Sequence, residues 1–379
     1  HLPRRLSAFS STGRHRSSLA QSRQRALDGG GRNGPLPRCG RPLARARLRG
    51  GGSRGVDGLR RQSSPVRGTK AGGLSVPELP EVETVRQGLM KGMQGKTFDD
   101  VLIRREGLRY PFPEDLATLA GTTVVNIRRR AKYLLVDLDD GRVLLSHLGM
   151  SGRYTLFDSD EAAAAKPLLQ TVNGGVPVSS FGDQTGHGGK HDHLEFIFTD
   201  GSRAVYTDPR RFGIIDLFAA HEEATHKLLA SLGPEPFDPW SAKDLAARLK
   251  GRKTAIKLAL LDQKVVVGVG NIYVCESLFR AGISPRREAG GLVRKNGAPT
   301  KRLEVLVDHI KDVIDEAIQA GGSTLNDFAS VDGTLGYFAH HFAVYGREGQ
   351  PCEKAGCGGV VRRIVQSNRS SFFCPTCQR

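Results

Sequence analysis

Apolar residues with a helical period open the patterned part of the chain. Four of them recur at intervals of three and four residues, which places them on one face of a helix: Val82, Val85, Leu89 and Met93. Pro80 suits a first helical turn, and the acidic residues beside it favour the positive end of the helix dipole. The pattern predicts an amphipathic helix over residues 80–93.

From about residue 97 to 218 the pattern changes to short alternating runs, which are typical of half-buried strands. Residues 123–157 contain three strand candidates with an Asp-Asp-Gly turn, and residues 193–208 read as a hairpin with an Asp-Gly turn. These runs predict an antiparallel β domain. A polar, glycine-rich insertion at 158–190 interrupts it.

A proline-rich stretch at 232–240 marks a boundary, and four helical segments follow between residue 241 and about 320. The chain then ends in a cysteine-rich tail. The predicted fold class is therefore α+β and multidomain, with a leading helix, an N-terminal β domain, a helical domain and a small C-terminal module.

The first 76 residues differ from the rest in composition. They contain 16 Arg and one Lys against two acidic residues, so they hold +15 of the formal net charge of +17. Their composition, rich in Arg, Gly and Ser, predicts disorder. Three readings remain open: a basic nucleic-acid-binding arm, an organelle transit peptide, or a mis-called start with Val76 at the true initiation codon.

The charge distribution also limits what can be said about partners. Residues 77–379 carry a net charge of only +2, so a DNA-binding surface there must be a local patch. No apolar run reaches 18 residues, and a membrane span is not expected.

Four of the six cysteines lie within the last 28 residues. Cys352, Cys357, Cys374 and Cys377 follow a C-x4-C-x16-C-x2-C pattern, which predicts one structural, tetrahedral Zn2+ ion. The sequence between the two pairs reads as strand, turn and strand, with Arg369 at the tip. The x4 spacing is looser than the commoner x2, which questions the geometry of the first knuckle.

The segment "PELPEVE" offers candidate chemistry at Pro77. A proline at a free chain end is a secondary amine that can attack a sugar C1′ and form an iminium, and Glu78 is placed to move protons. With residues 1–76 attached, the Pro77 nitrogen is an amide and cannot act as a nucleophile. A plain helix N-terminus is the alternative reading of this segment.

Eight segments follow one another between Pro77 and Arg379, over about four-fifths of the chain: "PELPEVETVRQGL", "RRAKYLL", "HLGMSG", "KHDH", "TDPRRFG", "LLDQKVVVGVGNIYVCESLFRAGISP", "GYFAHHFAVYGREGQPC" and "FFCPTCQR". Together they resemble the formamidopyrimidine-DNA glycosylase family of bacterial 8-oxoguanine repair enzymes. The opening segment is nearer to this family than to its sister, endonuclease VIII.

The resemblance implies an N-terminal β-sandwich, a helix–two-turn–helix domain and a zinc-finger β-hairpin. It implies a bifunctional glycosylase and AP lyase that removes oxidised purines and then cuts DNA by β,δ-elimination. By position in the family, Pro77 is the nucleophile, Glu78 its proton partner, Lys132 the acid of β-elimination and Arg369 that of δ-elimination.

The resemblance also implies residues that contact DNA. Met150, Arg210 and Phe212 match the triad that fills the void left by a flipped base, which fits the use of apolar wedges against unstacked bases. A further group matches phosphate-contacting or lesion-side positions: His191, Arg252, Lys253, Lys257 and Asn271. Residues 321–338 match a lesion-capping loop.

The expected domains are an extension at 1–76, a catalytic β-sandwich at 77–218, a linker at 219–240, a helix–two-turn–helix domain at 241–338 and a zinc finger at 339–379. The expected partner is double-stranded DNA with oxidised purines, bound by a monomer in the bacterial cytoplasm at the nucleoid, or in an organelle if residues 1–76 are a transit peptide. Two alternatives remain: a non-catalytic damaged-DNA-binding protein with a capped Pro77, and an endonuclease VIII-like enzyme for oxidised pyrimidines.

Overall fold

The computed structural model describes residues 77–159, 189–237, 239–323 and 342–379. These residues all belong to one structural unit, Gly68–Arg379. The expectations for residues 1–76, for most of the 158–190 insertion and for most of the capping loop at 321–338 fall outside the described residues.

Helix α1 spans Leu79–Met93, one residue longer at its start than the sequence pattern predicts. The predicted apolar face is confirmed, because Val82, Val85, Leu89 and Met93 are each only 1% exposed. These side chains join the core of the β domain. Leu79, at the first turn, packs instead into the core of the helical domain, so α1 contacts both domains.

Two four-stranded antiparallel sheets form the β domain, in the orders β1-β6-β7-β5 and β2-β3-β4-β8. The strands are β1 (Phe98–Ile103), β2 (Val124–Arg130), β3 (Tyr133–Leu138), β4 (Arg142–His147), β5 (Arg153–Phe157), β6 (Asp192–Phe198), β7 (Arg203–Thr207) and β8 (Ile214–Ala219). One core contains side chains from both sheets, as a sandwich requires.

The expectation of three strands in residues 123–157 was wrong, because the structure has four there. The fourth strand, β5, follows the "HLGMSG" segment and belongs to the other sheet. A crossing between sheets cannot be seen in an alternating pattern, which is the same for strands of either sheet.

The helical domain contains α2 (Ala242–Leu249), α3 (Ile256–Leu261), α4 (Asn271–Arg280) and α5 (Lys301–Gln319), as the four predicted segments require. Ser241 and Thr300 cap α2 and α5 by accepting hydrogen bonds from backbone N–H groups three residues on. None of the helices in the described ranges is long and apolar enough to cross a membrane.

The C-terminal module is a hairpin of β9 (Arg362–Gln366) and β10 (Arg369–Phe373). Its two-residue turn, Ser367–Asn368, has positive φ at both positions (45° and 60°), which matches the right-handed twist of the strands. Phe372 packs with Cys275 and Phe279 of α4. The hairpin is thereby fixed to the helical domain, with Arg369 next to its tip as expected.

Candidate active site and zinc centre

Pro77 and Glu78 are buried where α1 meets the start of α4. The Leu79 N–H donates to the carbonyl oxygen of Gly268 (3.2 Å), and the Ile272 N–H donates to Glu78 Oε1 (3.2 Å). A Cβ on Gly270 would lie 2.0 Å from Glu78 Cδ. Glycine at position 270 is therefore what lets the carboxyl group of Glu78 approach the N-terminus of α4.

The carboxyl group of Glu78 is tuned for proton transfer near neutral pH. Burial raises its pKa from 4.5 to about 7, although the nearby Lys132 ammonium acts in the opposite direction. Its Oε2 atom is buried and has no hydrogen-bond partner among the described residues. A buried carboxyl with a pKa near 7 and one free oxygen is suited to exchange a proton with a substrate.

Lys132 lies in the tight turn between β2 and β3. Arg130 pairs with Tyr133, so Ala131 and Lys132 form a two-residue connection, and Ala131 adopts a left-handed φ of 54°. The Ala131 N–H donates to Glu235 Oε1 (2.8 Å), and the same carboxylate pairs with Arg130 at 2.8 Å. These bonds hold a backbone conformation that alanine alone disfavours.

Burial lowers the pKa of Lys132, Glu78 opposes this shift, and the positive charge of Arg369 adds to it. The amine is therefore easier to deprotonate than an exposed lysine. Lys132 and Arg369 come from opposite ends of the sequence, yet both line one cavity of about 280 Å³. Gly270, which contacts Glu78, lines the same cavity.

His147 also lines this cavity, and sequence reasoning missed it as a site residue. Burial lowers its pKa to about 4, and Lys132 and Arg109 add to the effect, so its ring is neutral at pH 7. The Gly149 N–H donates to Nδ1 (3.0 Å), which leaves the ring proton on Nε2. The signal was present in "HLGMSG", where a histidine directly precedes the segment of Met150.

The expected void-filling residues lie together on the β domain. Arg210 and Phe212 are exposed, and the Arg210 guanidinium lies 5.3 Å from the centroid of the Phe212 ring. Phe212 is 45% exposed, which is unusual for a phenylalanine that serves only the core. Met150 is partly buried in the neighbouring loop, directly after Gly149.

The other expected DNA contacts have different surroundings. Lys253 is exposed, His191 and Asn271 are half-buried, and Arg252 forms an ion pair with Asp262 (3.0 Å). Asn271 begins α4, and its Oδ1 atom is buried without a hydrogen-bond partner among the described residues.

Lys257 differs most from its expected place on the DNA side. It is 0% exposed, and its Nζ donates to the Ser370 carbonyl oxygen (2.8 Å) and to Ser371 Oγ (2.6 Å). The structure therefore shows Lys257 as a link between α3 and β10, the strand that begins at Arg369.

The four cysteines of the tail converge, with every Sγ atom within 4.8 Å of the others. The distances are 3.8 Å between Cys352 and Cys377 and 3.6 Å between Cys357 and Cys374. Zinc bound tetrahedrally to sulfur at about 2.3 Å requires sulfur atoms about 3.8 Å apart. The sulfur positions fit a structural zinc ion, and the x4 spacing does not prevent this geometry.

Comparison with known proteins agrees with this architecture. Three family models match consecutive parts of the chain: the formamidopyrimidine-DNA glycosylase N-terminal domain at 76–215, the H2TH domain of the same enzymes at 232–329, and the zinc finger found in FPG and IleRS at 349–379. Formamidopyrimidine-DNA glycosylases from Ruegeria pomeroyi and Azorhizobium caulinodans are each 51% identical over 306 residues, covering 80% of this chain and 100% of theirs.

Solved structures give the same result. Fpg of Lactococcus lactis in complex with DNA containing an abasic site is 31% identical, with a TM-score of 0.64, over 80% of this chain and 99% of that one. A mutant of the same Lactococcus lactis enzyme, in complex with DNA containing Fapy-dG, has a TM-score of 0.66 at 31% identity, over 80% and 100% of the two chains. The chain therefore belongs to the formamidopyrimidine-DNA glycosylase family.

Proposed function

We propose that residues 77–379 excise oxidised purines from duplex DNA through the amine of Pro77 and then cut the strand as an AP lyase. Family membership makes this chain a DNA glycosylase of base excision repair. One observation carries the residue roles: Lys132 and Arg369 line one cavity, together with the glycine that Glu78 contacts.

In the first step, the Pro77 nitrogen bonds to C1′ of the damaged nucleotide, and the bond from C1′ to the base breaks. The purine leaves with the bonding electrons and takes up a proton. The sugar ring then opens to an iminium, and its O4′ oxygen needs a proton in turn. Glu78 supplies it, because a carboxyl group with a pKa of about 7 is substantially protonated in neutral solution.

The lyase steps follow from the iminium. Loss of a C2′ proton allows the bond from C3′ to the phosphate oxygen to break, and Lys132 faces the cavity where this occurs. Arg369 assists the second elimination, in which the other phosphate leaves, because a guanidinium can hold a departing phosphate by two hydrogen bonds. The zinc ion, when bound by the four cysteines, is structural and holds the hairpin that carries Arg369.

DNA binding is assigned to the exposed residues of the site. Met150 and Phe212 support the bases beside the flipped nucleotide, and Arg210 donates hydrogen bonds to the cytosine left without a partner. Lys253, His191 and Asn271 are proposed phosphate contacts. The proposed domains keep the boundaries expected from the sequence, and the proposed working form is a monomer. We place it at the nucleoid in the cytoplasm, because the related enzymes named above come from bacteria.

Borohydride trapping on an 8-oxoguanine duplex tests the central proposal. Three proteins are compared: the full chain, residues 77–379 released with a free Pro77, and the released form with Pro77→Gly. A covalent complex only with free Pro77 supports the mechanism. Trapping by the full chain, with its N-terminus verified as intact, would assign the Schiff base to another amine, and Lys132 would be the first to test. A parallel thymine-glycol duplex separates the purine enzyme from an endonuclease VIII-like one.

A further inference from the structure

The three proposed void-filling residues lie on two connections that cross between the sheets. Residues 148–152 lead from β4 to β5, and residues 208–213 lead from β7 to β8. Because β4 pairs with β8 and β5 pairs with β7, the two crossings run side by side. They touch at the backbone, since a Cβ on Gly149 would lie 2.5 Å from the carbonyl carbon of Phe212.

The carboxylate of Asp208 joins the two crossings. Asp208 is 0% exposed, and its Oδ2 accepts the N–H of Gly213 (2.8 Å) in its own crossing. Its Oδ1 accepts the hydroxyl of Ser151 (2.5 Å) in the other crossing. Ser151 Oγ accepts in turn from the N–H of Arg210 (3.0 Å). One buried carboxylate and one hydroxyl therefore connect the residue after Met150 to the residues before and after the Arg210–Phe212 tip.

The backbone of Asp208 holds the same tip. Its carbonyl oxygen accepts the N–H of Arg211 (3.2 Å) and lies 2.8 Å from Nε2 of the buried His193. Arg211 has a φ of 58°, a left-handed conformation that side-chain-bearing residues seldom adopt. This conformation sets the directions of Arg210 and Phe212 on either side, so the bonds of Asp208 maintain the geometry of both side chains.

We infer that Asp208, acting through Ser151, is the positioning residue that keeps Met150, Arg210 and Phe212 in one rigid arrangement and so sets selectivity for the base opposite the lesion. The inference rests on the proposed role of these three residues. A wedge that replaces a flipped base must hold its shape against stacked neighbours. A hydrogen bond from Arg210 to the opposite base also weakens steeply when its angle is wrong.

Equilibrium binding of the full chain tests this inference without any chemistry at Pro77. Duplexes carry a tetrahydrofuran abasic-site analogue opposite cytosine or opposite adenine, and the readout is the ratio of the two Kd values. Asp208→Asn and Ser151→Ala are the test variants, and Arg210→Ala defines the ratio without the reading side chain. Asp200→Asn is the control, because Asp200 fixes the β6–β7 turn through Ser202 in the same chemical way but at another site.

The inference predicts that the wild-type preference for cytosine falls about fivefold to tenfold in both test variants, the factor that one ordinary hydrogen bond contributes. Asp200→Asn keeps the wild-type ratio, and binding to single-stranded DNA stays the same in all variants. An unchanged ratio in both test variants would overturn the inference. So would an equal loss on single-stranded DNA, which indicates general damage to the fold, or a preference that survives Arg210→Ala. Failure of borohydride trapping would instead refute the Pro77 mechanism and leave this result standing.

Discussion

Replacing Glu78 with glutamine should stabilise the protein, and the gain should grow with pH. The amide is nearly the same shape as the protonated carboxyl, so it can keep the hydrogen bond from the Ile272 N–H to Oε1. Burial raises the pKa of Glu78 from 4.5 to about 7. That rise corresponds to about 3 kcal/mol, since a tenfold change in a proton-binding constant is worth about 1.4 kcal/mol.

The sign follows from which state holds the proton. Between pH 4.5 and about 7 the folded protein keeps the Glu78 proton that the unfolded chain has already released. Stability therefore falls as the pH rises through this window, and it levels off above pH 7. Glutamine does not titrate, so the advantage of Glu78→Gln over wild type should increase by about 2 to 3 kcal/mol between pH 5 and pH 8.

Urea unfolding of the full chain at pH 5 and pH 8 measures this difference, with Glu83→Gln as the control. Burial also acts on Glu83, but hydrogen bonds and charge from Arg86 and Arg129 outweigh it and hold its pKa below the usual value. Glu83→Gln should therefore destabilise the protein by a similar amount at both pH values. An equal effect of Glu78→Gln at pH 5 and pH 8 would refute the reasoning that burial keeps this carboxyl protonated.

Three other changes have defined outcomes. Removing zinc with a chelator should abolish tight DNA binding while circular dichroism still reports a folded β domain, and tight binding after verified zinc loss would contradict the structural role of the metal. Gly270→Ala should displace the carboxyl of Glu78 and abolish borohydride trapping by residues 77–379, whereas Gly291→Ala, where a Cβ meets no atom within 4 Å, should not. Glu235→Ala should cost about 2 kcal/mol of stability by leaving the Ala131 N–H without its acceptor, and should slow strand cleavage at a preformed abasic site more than Glu223→Gln does.

Local patterns were enough to predict the elements whose signals lie within a short stretch of sequence. Helix α1 was found because its apolar face repeats within 15 residues, and the zinc ligands because two cysteine pairs flank one hairpin. Resemblance to the family supplied Lys132 and Arg369, which no local pattern would have joined. Their positions in one cavity come from the tertiary fold.

The residues that sequence reasoning missed have partners far away in the chain. Glu235 was read only as part of a proline-rich boundary, yet it accepts a hydrogen bond from Ala131, 104 residues earlier. Asp208 was part of a quoted motif, but its bond to Ser151 spans 57 residues. Lys257 was expected to face DNA, because a helix of six residues has too few positions to show which face is buried.

The buried position of Lys257 explains how a distant metal can matter to the chemistry. Its Nζ and the amide of Asn271 both donate to the carbonyl oxygen of Ser370, the residue after Arg369. Arg369 is therefore located from two sides, by the zinc-bound hairpin that carries it and by the helical domain against which that hairpin packs. Since Arg369 lies beside Lys132 in the cavity, loss of either support should alter the lyase steps before it alters the fold of the β domain.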